Sequence, residues 1–115
     1  MSSEHVVELN YENFEDEVYG GEKPVVVEFL SESYLACRQV EGVFEAFAQE
    51  YGEQIVFGRV DMDANWQTAE LFGVKTAPTV LLFQHDRLVQ RLEGQQDERQ
   101  YRQALHELIA PYWMI

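Results

Sequence analysis

Between Pro24 and Leu30 the chain reads PVVVEFL, an almost continuous run of β-branched and aromatic residues. A strand with one wet face would alternate apolar and polar positions. This run does not, so it predicts a central strand covered on both faces and parallel to its neighbours. The one polar position, Glu28, sits in the middle of it. An ionised carboxylate there is costly unless paired or protonated, and Arg59 on the next strand is the expected ion partner.

The remaining elements are read around that strand. His5 to Leu9 predicts a short edge strand, and Asn10 is placed to cap a helix running to about Tyr19, where Gly20 and Gly21 stop it. From Tyr34 to Tyr51 the residues Cys37, Val40, Val43, Phe44, Phe47, Ala48 and Tyr51 recur at helical spacing. Arg38, Glu41, Glu45 and Glu50 fall largely off that stripe, and Gly42 sits mid-helix as a candidate bend. Residues 55–61 predict a strand and 65–72 a short helix ended by Gly73. Pro78 lacks the N–H that a central ladder needs, so the next strand starts after it, at Thr79 to Gln84. A turn at His85-Asp86 leads to a strand over 88–92, and Asp97 caps a final helix with Tyr101, Leu105, Leu108 and Ile109 on one face. The order is βαβαβαββα, an α/β fold with a mixed sheet between helices, in one domain spanning 1–115 with its core at about 5–109.

With 115 residues, 46% of them hydrophobic and 25% charged, the chain has the composition of an ordinary globular domain. Its formal charge of −13 opposes phosphate backbones and anionic membranes, so neither nucleic acid nor a membrane is expected as partner. That acidity either keeps the protein in solution or meets a basic partner surface. MSSEHVVELN has no basic start or apolar core of secretory length, which gives the expectation of a cytoplasmic protein. One cysteine, Cys37, leaves no internal disulfide.

Four segments in this order resemble the thioredoxin family over nearly the whole chain: the strand at 25–29 with its acid Glu28, the turn into a long helix at Cys37, VDMDAN before a short helix, and GVKTAPTVLLF followed by Gly94. The resemblance implies the thioredoxin fold. The family's chemistry uses a Cys-x-x-Cys pair at the start of the long helix, an exposed nucleophile and a second thiol that resolves the mixed disulfide. Here the quartet is Tyr34-Leu35-Ala36-Cys37, so Cys37 falls on the resolving position and Tyr34 on the nucleophile's. A dithiol cycle within the chain is excluded. Among relatives without the first cysteine, the FLSES context and the LLFQ strand look most like chaperone-type thioredoxin domains, with thioredoxin-like hydrogenase maturation factors as a second comparison.

The resemblance leaves two readings of each candidate residue. Cys37 is either a packed structural thiol, as its place on the apolar stripe suggests, or a monothiol redox group. Glu28 is either a satisfied buried acid or the proton-moving acid that the family carries there. Thr76, Ala77 and Pro78 match the family's cis-proline element. With Leu35, Ala36 and Gly94 that element implies a groove offering backbone hydrogen bonds to an extended peptide, or else a feature the fold alone requires. The expected partner is therefore a protein or extended peptide. No cofactor is expected, and no metal: His5, His85 and His106 are scattered, and Asp61-Met62-Asp63 lacks the spacing and glycine of a calcium loop. The apolar tail at 110–115 either folds back on its helix or docks on a partner.

Overall fold

A computed structural model of the chain describes residues 4–110. The elements are β1 (Val6–Leu9), α1 (Phe14–Tyr19), β2 (Val25–Leu30), α2 (Leu35–Tyr51), β3 (Val56–Asp61), α3 (Trp66–Leu71), β4 (Thr79–Gln84), β5 (Arg87–Glu93) and α4 (Glu98–Ile109). The strands form one sheet in the order β1-β3-β2-β4-β5. Each of the six residues of β2 is buried, as a run without alternation demands. Val26 and Leu30 face α2 and α4, in a cluster with Phe44, Phe47, Phe57 and Tyr101, while Val25, Val27 and Phe29 face α1 and α3 with Phe14, Val60 and Phe83. This is the thioredoxin fold that the resemblance implies.

One expectation about the sheet is corrected. β2 is parallel to β3 but antiparallel to β4, not parallel to both neighbours. The reason lies in α3. Its six residues rise only about 9 Å, roughly half of what is needed to carry the chain back along a strand. The chain therefore enters β4 at the end where β3 left the sheet, and Thr79 pairs with Phe29. Burial on both faces says that helices cover a strand and does not fix its neighbours' directions.

Asn10 caps the first helical turn as expected, although the regular helix begins only at Phe14. Its side chain accepts the amides of Glu12 and Asn13, the Asn13 side chain accepts the Asn10 amide at 2.7 Å, and the Phe14 amide donates to the Asn10 carbonyl at 3.0 Å. At the other end of the chain Asp97 caps α4 as expected, exchanging side-chain and backbone bonds with Gln100 in a capping box. The tail at 111–115 lies outside the described residues.

This topology gathers functional candidates at one end of the sheet. β1, β2 and β3 all leave the sheet there, β4 enters there and β5 ends there, since Glu93 pairs with Thr79. Among the described residues, four of the seven exposed large apolar side chains stand at that end, Tyr11 and Tyr34 on connections and Leu35 and Trp66 at the starts of α2 and α3.

Candidate functional site

The turn from β2 into α2 is tied down by a residue of the next connection. Ser31 Oγ donates to the Asp63 carboxylate, 3.0 Å from each oxygen, and Asp63 also accepts the Glu32 amide at 3.3 Å. The Ser33 amide donates to Ser31 Oγ at 3.3 Å. Held this way, the turn puts Tyr34 at the N-cap of α2 in extended conformation, 54% exposed, and Leu35 outward, 71% exposed. Helical periodicity then carries Cys37 inward, where it is 3% exposed and packed with Val40, Phe44 and Leu30. Its Sγ accepts the Ser31 amide at 3.4 Å. Burial pushes the Cys37 thiol up, and nearby Asp63, Glu28 and Glu41 push it further, against the pull of the Ser31 amide. Such a thiol is poorly ionised and poorly reached.

Glu28 lies opposite Arg59 in the β2–β3 ladder and accepts its Nε and Nη2 at 3.0 and 2.8 Å, both on Oε2. The same guanidinium pairs with Glu41 at 3.3 Å and Glu45 at 3.1 Å. These two acids stand one turn apart on α2. Burial pushes Glu28 up to about 8 despite Arg59, because that one cation is shared among three carboxylates and the other two repel the third charge. Glu28 Oε1 has no hydrogen-bond partner among the described residues. Burial opposes the charge of Arg59 too, but its carboxylates outweigh that and hold it firmly protonated. Arg59 and Cys37 share the wall of a cleft of about 290 Å³, rimmed by Glu8, Glu41 and Asp61.

The third component is the connection into β4. The Ala77–Pro78 peptide is cis. The Thr79 hydroxyl donates to the Thr76 carbonyl at 2.7 Å, and the Gly94 amide to the Pro78 carbonyl at 2.9 Å. Gly94 has φ +79, a left-handed conformation that glycine takes at least cost. Its neighbour Gln95 donates to Gln39 of α2 at 2.7 Å, which draws the end of β5 against the first turns of that helix. Between these anchored points the N–H and C=O of half-buried Ala77 meet no other protein group among the described residues. A buried strand end would leave such groups unsatisfied, whereas here water or an added chain can pair with them.

The structure thus brings Tyr34, Leu35, Ala36 and Cys37 to the same end of the sheet as Thr76, Ala77, Pro78 and Gly94, with Glu28 beneath on the α2 face. The histidines are not part of this site. His106 Nε2 lies 2.9 Å from Tyr51 Oη between α2 and α4, and among the described residues no group of three or more His, Cys, Asp or Glu is placed to hold a metal ion. No helix among them is long and apolar enough to cross a membrane. Sequence reading missed Glu41 and Glu45 as partners of Arg59, although their i,i+4 spacing was a signal. It also missed Asp63 as the clasp of the turn and Trp66 as an exposed side chain, for which no local pattern speaks.

The mixed sheet brings the helix-start turn and the proline connection together at one end, the arrangement that the thioredoxin resemblance implies. The thioredoxin family model matches residues 5–107. Among curated relatives, the chain is 31% identical over 97 residues to a thioredoxin of Alicyclobacillus acidocaldarius subsp. acidocaldarius, covering 84% of this chain and 91% of the relative. It is 37% identical over 90 residues to a thioredoxin of Mycolicibacterium smegmatis, covering 76% and 80% respectively. A thioredoxin of Streptomyces clavuligerus is 36% identical over 83 residues, or 72% and 77%. The chain belongs to the thioredoxin family.

Proposed function

We infer that this protein works without a dithiol cycle, as an interaction or chaperone-like module of the cytoplasm that holds an extended peptide segment against Thr76, Ala77, Pro78 and Gly94. The observation that carries the reading is the unengaged main chain of Ala77, set between anchored neighbours. Main-chain pairing of this kind supplies affinity with little demand on sequence, which suits a module that accepts clients. With Tyr34 where a nucleophile would stand, the exposed start of α2 offers aromatic and apolar contact instead of a thiolate.

Two measurements test it. Purified protein with dithiothreitol should reduce insulin no faster than dithiothreitol alone, and Ala77→Arg should abolish binding of extended peptides while Cys37→Ser leaves it intact. Reductase turnover that disappears in Cys37→Ser would reject the reading.

A monothiol redox role is the second reading, favoured by one observation: Cys37 forms part of the wall of the 290 Å³ cleft beside Arg59, which gives a small reagent a route to the sulfur. Glutathione disulfide offered to native protein separates the two. A stable mixed disulfide at Cys37, formed as fast as on unfolded chain, supports the second reading and counts against the first.

A further inference from the structure

We draw no further inference here: the strongest candidate, the cleft of about 290 Å³ between the first turns of α2 and the ends of β1 and β3, is rimmed by Glu8, Glu32, Glu41 and Asp61, a cluster of acids for which nothing in the structure shows an occupant, and its Arg59 and Cys37 wall belongs to the site already described.

Discussion

Replacing Glu28 by Gln should stabilise the protein, and by an amount that grows with pH. The folded carboxyl titrates at about 8, against an ordinary value of 4.5, because burial outweighs the shared Arg59 cation. Between those values the folded state holds a proton that the unfolded chain releases. Stability from this group is thus fully present below pH 4.5 and is lost as pH rises through 8. Integrated from pH 5 to pH 8, the loss is about 3 to 4 kcal/mol, a large part of a domain's usual stability. Gln has the same shape, its carbonyl oxygen still accepts the Arg59 N–H groups, and it does not titrate. The other carboxylates contribute alike to both proteins, so subtracting one urea transition from the other isolates Glu28. The midpoint of Glu28→Gln should exceed that of wild type by on the order of 2 M more urea at pH 8 than at pH 5. If Arg59 were instead dominant, wild type would gain on the variant as pH rises from about 3 to 5 and stay the more stable above it. A difference that is flat in pH, or of that opposite sign, refutes the reasoning.

Other tests address packing and the thiol. Gly42 is exposed in the middle of α2 and an added Cβ meets nothing within 4 Å, so Gly42→Ala should stabilise by roughly 0.5 to 1 kcal/mol in chemical denaturation. Gly58 is the reverse case: its Cβ would stand 2.5 Å from Leu9 Cδ1 between β1 and β3, and Gly58→Ala should cost about 1 to 3 kcal/mol. Iodoacetamide should label Cys37 of native protein at least about tenfold more slowly than unfolded chain, and the native rate should climb only at a pH above that of an ordinary thiol, since burial raises its pKa; equal rates in both states would contradict the packed position. Tyr34→Cys should restore the Cys-x-x-Cys spacing and close a disulfide with Cys37, detected as a 2 Da mass loss on oxidation. Persistent free thiols under oxidant would mean that the turn is placed wrongly.

What was legible in the sequence depended on how far apart the informative residues lie. The covered strand at 25–30, the long amphipathic helix and the start of β4 after Pro78 each announce themselves within one window, through period or through the missing amide of proline. Ladder direction does not, because it was decided by the six-residue length of α3 and not by any pattern within β2. Asn10 was legible as a cap, but the turn that separates it from Phe14 was not, because it is set by the bonds between Asn10 and Asn13. Arg59 was legible as a partner for Glu28 because both sit at matching places in adjacent strands. Its second and third carboxylates were not, since Glu41 and Glu45 look like solvated helix positions until α2 is laid on the sheet.

With Tyr34 three residues before the single Cys37, the residues at this end of the fold have no dithiol to serve. A dithiol enzyme needs a nucleophile with low pKa, a reachable second thiol and an acid that can trade protons with it. Here the remaining thiol is buried and pushed up, and the buried acid is bound to a guanidinium that two further carboxylates hold in place. The buried thiol is a poor nucleophile, and although the acid, titrating at about 8, can exchange a proton near neutral pH, the chain has no second thiol for it to serve. The exposed groups at this end follow the opposite course: Tyr34, Leu35 and Trp66 face solvent, and Ala77 makes no main-chain hydrogen bond among the described residues, beside connections held by Asp63, Thr79 and Arg91. A pinned surface loses little entropy when a strand is laid on it, which suits the peptide binding proposed for this end of the sheet. Asp63→Ala is the variant that separates pinning from contact. It removes the clasp on the turn while leaving the exposed side chains unaltered, so it should weaken peptide binding several-fold and raise hydrogen exchange at Glu32, whose amide loses its acceptor. Unchanged affinity with faster exchange at that amide would show that the turn's rigidity plays no part in recognition.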